Sequence, residues 1–449
     1  MKNILILGAG KSATVLIEYL LKNASRYNWM ITLGDIDADI AIQKLNKDPR
    51  GRGIYFNSAD KEVREQSIRE ADIVISLLPA FLHIEIARDC VKFKKHFVCA
   101  SYVSDEMKVL DAEAKAAGIM LMHEIGLDPG IDHMSAKKMI DAVHKAGGEI
   151  KTFESYTGGL IAPESDNNPW NYKFTWNPRN VVLAGQGTAK FLWDNQYKYI
   201  PYHKLFSRYD IMEIPGYGEF EGYPNRDSLA YRKVYGLENT ATIVRGTLRK
   251  RGFCDAWNVF VLLGMTDDSY FMEGIENFSW KDYTNSFLPS SSSSVKTKLM
   301  EYADIHKSIE MQNKFEWLGL FSEEKIYKET DTNIKATPAQ VLQKLLEKKW
   351  LLEESDKDMC VMLHLMEYTL NAKTYKVQSS MVVIGEDGLH TAMAKTVGLP
   401  AAIVVKMILN GTLQNKGIVI PVLPEIYDPV LEELKLEHGV KFEETTIVK

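Results

Sequence analysis

Two histidines, a glutamate and two aspartates crowd into the stretch HEIGLDPGIDHM, residues 123–134, around a Pro-Gly pair. Side chains of these types move protons, hold metal ions, or simply open a helix. Proton transfer requires a carboxylate or imidazole within hydrogen-bond reach of the reacting group. Asp128 is the first candidate for that work, and His133, about one helical turn inside the following segment, is the second. A helical zinc site needs histidines four residues apart. Asp128 and Asp132 have the spacing of one turn, but no histidine joins them in it, so no metal is expected. In a purely structural role Asp128 is the N-cap of a helix, Pro129 its first residue, Asp132 a complement to its dipole, and Gly147 and Gly148 its end.

A second chemical signature lies at the N-terminus. In NILILGAGKSATVLIEYLLKN, Gly8, Gly10 and Ala13 satisfy G-x-G-x-x-G/A between an apolar run and a segment with helical spacing. Such glycines let the backbone approach a pyrophosphate at a helix N-terminus. The adjoining Gly-Lys-Ser invites a triphosphate loop, but that pattern requires glycine at position 5, where Leu5 stands. A dinucleotide site also requires an acidic residue about 20 residues on, at the end of the second strand, to bind the ribose. WMITLGDID supplies Asp35. Its charge repels a 2′-phosphate and DIDADIAIQK offers no Arg to hold one, so NAD is preferred over NADP.

These residues need a scaffold. NILIL suits a strand buried on both faces of a parallel sheet. ADIVISLLP predicts another over 73–78, followed by Pro79 and a helix; KKHFVCASY predicts one ending at Ser101 and Tyr102; GIMLMHEIGL predicts a strand running into 123–134. Ligands of open α/β sheets lie outside the carboxyl ends of the strands, which is where the nicotinamide is expected.

With 449 residues, 45% hydrophobic and 25% charged, the chain supports two or three domains. A net charge of -6 provides no global field for nucleic acid or an anionic membrane, and neither is expected as a partner. Cys90, Cys99, Cys254 and Cys360 stand far apart without a C-x-x-C pair, which argues against structural zinc and disulfides and fits a reducing cytoplasm. The run in MKNILILGAG ends in glycines, so no export signal is expected.

Further along, GGLIAPESDNNPWNYKFTW (158–176) reads as a long loop, either functional or a domain or dimer contact. Helical patterns dominate from about 255. TPAQVLQKLLEKKW carries a capping box of Thr337 and Gln340 with Pro338 first in the helix. The serine run 290–294 reads as a surface loop. MCVMLHLMEYTL and YKVQSSMVVIGE alternate as antiparallel strands do. TAMAKTVGLPAAIVVKMIL is interrupted by Gly398 and Pro400, and reads as a buried helix closing against the first domain rather than a membrane span. No internal repeat is found.

Four motifs in one order, HEIGLDPGIDHM, SYTGGLIAPESDNNPWNYKFTW (155–176), YPNRDS (223–228) and RGTLRKRGF (245–253), resemble those of the saccharopine reductases, the glutamate-forming saccharopine dehydrogenases. The likeness continues to TVGLPAAIVVKMILNGTL (396–413). It implies an α/β fold: an N-terminal Rossmann doubly wound parallel sheet over 1–128, completed by about 393–449, an α/β substrate and dimerisation domain over 129–255 and 357–392, and a helical insertion over 256–356. The implied reaction is reversible: saccharopine, water and NAD(P) give glutamate, 2-aminoadipate semialdehyde and reduced cofactor. A cytoplasmic homodimer acting on these small molecules is expected. In fungal members an Arg follows the second strand and the cofactor is NADPH; here Ile36 takes that place, as NAD use in the animal, lysine-degrading version would require.

The resemblance also implies a site. Cofactor contacts fall on Gly8, Gly10, Lys11, Ser12, Ala13, Asp35, Ser58, Leu78, Pro79, Leu127 and Asp128. Ser101, Tyr102, Asp128, Gly158 and Gly159 lie near the substrate, and Thr157 replaces a Cys of fungal members. Arg226 and the segment Thr247, Leu248 and Arg249 hold substrate carboxylates, a task that suits the bidentate fork of Arg. Arg245 and Arg251 read better as basic side chains along a half-exposed strand. Oxidation needs a neutral secondary amine, hydride transfer, water addition to the imine, and collapse to amine and aldehyde. Asp128 either moves those protons or positions the amine, with His133 as second candidate. Two other readings use the same scaffold: a carboxynorspermidine-type reductive condensation with fewer carboxylate contacts, and a non-catalytic dinucleotide sensor.

Overall fold

The run Lys2–Leu7 is strand β1 of the computed structural model, which describes residues 1–328, 330, 331 and 333–448; its last four residues are buried. A glycine turn leads into the helix Thr14–Tyr27, whose buried Leu16, Ile17, Leu20 and Ala24 recur on one face. Asn28 ends that helix with a left-handed φ of 56°, and β2 (Trp29–Asp35) returns parallel to β1 with Gly34 opposite Leu7. Four more parallel strands follow: β3 (Gly51–Tyr55), β4 (Ile73–Ser76), β5 (His96–Cys99) and β6 (Met120–Met122). The sheet runs from Gly417–Val419 through β6, β5, β4, β1 and β2 to β3. Strand order reverses between β1 and β4, which opens a crevice at their carboxyl ends.

Leu5, Leu7, Val74, Phe97 and Leu121 of this sheet meet Ile86, Ala87 and Cys90 of the helix His83–Phe93 in one apolar core. The helix Ala392–Leu409 packs on Thr14–Tyr27 so tightly that a Cβ on Gly398 would lie 3.1 Å from the Leu16 nitrogen. Its 18 residues have a mean hydropathy of 1.6, enough by composition to cross a membrane, but 78% of the segment is buried inside the protein, with Pro400 within the helix. This is the expected core helix.

The chain divides into two compact units, residues 1–157, 232–240 and 357–449 in one, and 158–231 and 241–356 in the other. The sequence predicts divisions instead at 128, 255, 356 and 392. In the first unit Asp358–Leu370 and Lys373–Ile384 form the antiparallel pair their alternation predicts, and Lys373–Ile384 pairs on with Glu443–Val448. In the second unit Gly218–Pro224 lies between Asp210–Ile214 and Thr242–Lys250, all antiparallel. The regular elements described in segment 256–356 are helices, but the segment does not stand apart from this unit. Trp257, Phe260 and Phe315 share one aromatic cluster with Trp170, Tyr172, Phe253 and Trp350. Residues 158–161, expected in a loop, finish the strand Glu149–Ile161. Thr337 and Gln340 form the capping box of Pro338–Lys349, and Ser294, last of the serine run, caps Val295–Tyr302.

Candidate active site

Gly8 sits at φ 101°, and a Cβ there would come within 3.3 Å of the Leu77 carbonyl at the end of β4. Only glycine suits both constraints. At Gly10 a Cβ would meet nothing within 4 Å, so the backbone leaves an open cradle before the turn Lys11–Ala13 and the 14-residue helix Thr14–Tyr27. Asp35 closes the arrangement: its Oδ2 accepts the Ala9 amide at 2.7 Å and its Oδ1 the Asp37 amide at 3.1 Å. Ile36 beside it is 69% exposed. Free amides at a helix N-terminus next to a carboxylate at the end of the second strand fit a dinucleotide. Of the other expected contacts, Leu78 reaches within 3.4 Å of the Gly8 Cβ position, Leu127 is buried, and the Ser58 carbonyl accepts from Arg64 at 2.6 Å.

At the same edge of the sheet, Tyr102 after β5 donates its hydroxyl to Asp128 Oδ1 at 3.0 Å. Asp128 is exposed and precedes a cis peptide to Pro129. The helix starts later than expected. Its N-cap is Gly130, at φ 148°, and Ile131 is its first residue, so Asp128 and Pro129 are not N-cap and first position. They lie in a tight loop closed by the Gly126 amide on the Pro129 carbonyl at 2.9 Å, and the capping carboxylate is Asp132, which accepts the Gly130 amide at 2.6 Å.

His133 also differs from its expected place. It is fully buried, with Nε2 at 2.8 Å from Glu124 Oε2 and Nδ1 at 2.6 Å from the Tyr235 hydroxyl. A ring with no surface, its Nδ1 bonded to a phenol and its Nε2 beside a carboxylate, does not reach a substrate, so its part is to brace the loop rather than to move protons. Glu124, at φ 57°, uses Oε1 to accept the Val103 amide at 3.1 Å. One carboxylate thus ties the Tyr102 loop to the helix that follows Asp128. Among the described residues, the His and carboxylate side chains grouped closely enough to share an ion are Glu433, Glu437 and His438, none of them in this stretch.

Two further imidazoles lie beneath Ser101 and Tyr102. His83 bridges Ser76 and Ser101, and Cys99 Sγ is 3.2 Å from His123 Nδ1. Burial pushes both imidazoles down to about 4 and the Cys99 thiol up to about 12. With Tyr102, Phe81, Ser104 and Met107 the two rings line a pocket of about 210 Å³.

In the second unit, a Cβ on Gly158 would lie 2.7 Å from the Leu248 carbonyl, so the glycine permits close approach to the segment Thr247, Leu248 and Arg249. Asn225 donates to Thr247 Oγ1 at 3.0 Å, which sets exposed Arg226, at φ 54°, beside that strand. Arg249 is 4% exposed, with its guanidinium carbon 5.5 Å from the Tyr172 ring centre and 5.2 Å from that of Phe253. Its Nε has no hydrogen-bond partner, and among the described residues no carboxylate pairs with it. A buried guanidinium with unused N–H groups is suited to a carboxylate. Arg245 is buried over the Tyr231 ring at 4.3 Å rather than half-exposed, whereas Arg251 is exposed.

Residues 4–122 match the saccharopine dehydrogenase NADP binding domain, and residues 126–440 match the saccharopine dehydrogenase C-terminal domain. The chain belongs to the saccharopine dehydrogenase family. It is 34% identical over 99% of its length to saccharopine dehydrogenase [NADP(+), L-glutamate-forming] of Saccharomyces cerevisiae, covering 99% of that protein. Identity to the enzyme of the same name from Pyricularia oryzae is 37% over 88% of each chain. The apo structure of the L-Glu-forming saccharopine dehydrogenase from Saccharomyces cerevisiae superposes with a TM-score of 0.87 at 33% identity, covering 100% of both chains. Residues 4–122, which include the glycine cradle, are accordingly the nicotinamide dinucleotide-binding domain of a saccharopine dehydrogenase family member. Sequence reasoning missed Glu124 and Tyr235 as partners of His133, and His83 as partner of Ser101; only a histidine one turn after Pro79 hinted at the last.

Proposed function

We propose that the protein is a glutamate-forming saccharopine dehydrogenase: saccharopine, NAD(P)+ and water give L-glutamate, 2-aminoadipate 6-semialdehyde and NAD(P)H, reversibly. The observation that carries this reading is the Tyr102–Asp128 hydrogen bond, at the carboxyl edge of the sheet that also carries the dinucleotide cradle. The nicotinamide, when bound, accepts hydride from the carbon that bears the secondary amine. Amides of Gly10, Lys11 and Ser12 serve its phosphates, Ala13 closes the turn with its amide on the Gly10 carbonyl, and Asp35 serves its ribose. Ser58, Leu78, Pro79 and Leu127 complete the cofactor contacts.

Asp128 moves the protons. Its carboxylate, oriented by the Tyr102 hydroxyl, takes a proton from the secondary ammonium and yields it to solvent, then takes one from the water that adds to the imine and passes it to the departing amine. Ser101 and Gly158 serve the substrate, and Arg226, Thr247, Leu248 and Arg249 its carboxylates; the buried Nε of Arg249, which has no hydrogen-bond partner, supports that role. NAD is preferred in this reading, because Asp35 repels a 2′-phosphate and Ile36 offers it no cation, although the relatives above are named for NADP(+). A cytoplasmic homodimer completes the reading: the four buried free cysteines suit a reducing compartment, which cell fractionation tests, and light scattering tests the dimer. Asp128→Asn is expected to lower saccharopine turnover on the order of a hundredfold, far more than it changes the dinucleotide Kd. Unchanged turnover would remove the observation on which the reading stands.

A further inference from the structure

One imidazole joins the carboxyl ends of β4 and β5. His83 opens the helix His83–Phe93 and is 3% exposed; its Nδ1 lies 2.9 Å from Ser76 Oγ and its Nε2 2.9 Å from Ser101 Oγ. Burial keeps the ring neutral, so it carries one N–H and one lone pair. Hydroxyl, imidazole and hydroxyl in a row admit two directions of donation.

In the first direction Nδ1–H donates to Ser76, Nε2 accepts from Ser101, and the Ser76 hydrogen needs a further acceptor. Ser76 is 1% exposed, and among the described residues its hydroxyl has no partner other than His83. That hydrogen would be a buried donor left unused, which folded proteins avoid. In the second direction Ser76 donates to Nδ1, Nε2–H donates to Ser101, and both buried hydrogens are used. The Ser101 O–H then points away from the ring, and Ser101 itself is only partly buried.

We propose that His83 is a positioning residue that, through Nε2–H, fixes the Ser101 hydroxyl as a hydrogen-bond donor and so selects a carboxylate oxygen of the substrate over an amine N–H. An unclamped serine hydroxyl rotates to suit either partner. The clamp removes that freedom before substrate arrives, which is the sense in which it preorganises the site. The inference rests on the reading of Ser101 as a substrate contact.

NMR of the full chain labelled with 15N-histidine reports the tautomer without any turnover. The expected result is the Nε2–H form of His83, assigned by loss of its signal in His83→Gln and by its shift in Ser101→Ala. The Nδ1–H form would overturn the proposal. Kinetically, His83→Asn, too short to reach Ser101, should raise the saccharopine KM on the order of tenfold at unchanged dinucleotide Kd. His83→Gln, which returns an N–H to that position, should recover most of the loss. In a Ser101→Ala background His83→Asn should add nothing, and additive losses would overturn the assignment. A wild-type enzyme that leaves saccharopine unoxidised would refute the function proposed above, while the tautomer would still decide whether His83 sets the sense of Ser101.

Discussion

Glu124 Oε2 stands 2.8 Å from His133 Nε2, with both side chains buried, and the other Glu124 oxygen holds the Val103 amide. The pair is therefore a rivet between the loop that carries Tyr102 and the helix beginning at Ile131. Glu124→Gln keeps the shape but removes the charge, and should lower unfolding free energy by about 1–3 kcal/mol. The urea midpoint measures this directly; an unmoved midpoint would show that the rivet carries no stability.

Two glycines separate folding from binding. Gly130 sits at φ 148°, and a Cβ there would lie 2.0 Å from the Gly126 carbonyl oxygen, so Gly130→Ala should cost more than about 3 kcal/mol or prevent folding. Gly10 has an extended backbone, φ -65°, with open space around it. Gly10→Ala should leave thermal stability within about 0.5 kcal/mol of wild type. It should weaken dinucleotide binding at least about tenfold by filling the cradle. Equal affinities in a fluorescence titration would place the phosphates elsewhere.

His83 and His123 give stability a pH dependence of known sign. In the unfolded chain each imidazole takes up a proton near its ordinary value of 6.5; in the folded chain burial delays this to about 4. Between those values the unfolded state binds more protons. Stability is thus full above pH 6.5 and falls as pH drops toward 4, by about 1.4 kcal/mol per pH unit for each ring. Urea unfolding at pH 7 and pH 5 should show a smaller loss in His123→Gln than in wild type. Identical losses would mean that His123 does not titrate in this way.

Much of the first unit is legible from sequence because its signals are local. The apolar run before Gly8, the helical spacing after Ala13 and the acidic end of β2 each report on a few neighbouring residues. The start of the helix after Asp128 is misread because Asp-Pro-Gly is as good a turn as it is a cap, and the choice is made by the contact of Gly130 with Gly126. Long-range partners carry no such signal. His133 meets Tyr235 across 102 residues and His83 meets Ser101 across 18, so their burial, which decides their chemistry, emerges only on folding. The helical segment after 255 looks separable in sequence because periodicity does not reveal that Trp257 and Trp350 share a core with Trp170.

In the function proposed above, cofactor choice turns on two adjacent residues. Asp35 presents a carboxylate braced by the Ala9 amide, and the neighbouring Ile36 is exposed. Asp35→Ala combined with Ile36→Arg should shift the ratio of kcat/KM values toward NADP by at least about tenfold. No shift would mean that the ribose is read by other residues.

The central claim is tested most directly by initial rates of wild-type enzyme on saccharopine with NAD and with NADP, followed by absorbance of the reduced cofactor, with glutamate identified among the products. The account predicts turnover that releases glutamate and is faster with NAD. Turnover confined to NADP would contradict the part assigned to Asp35, and absence of turnover with both would contradict the proposed function itself.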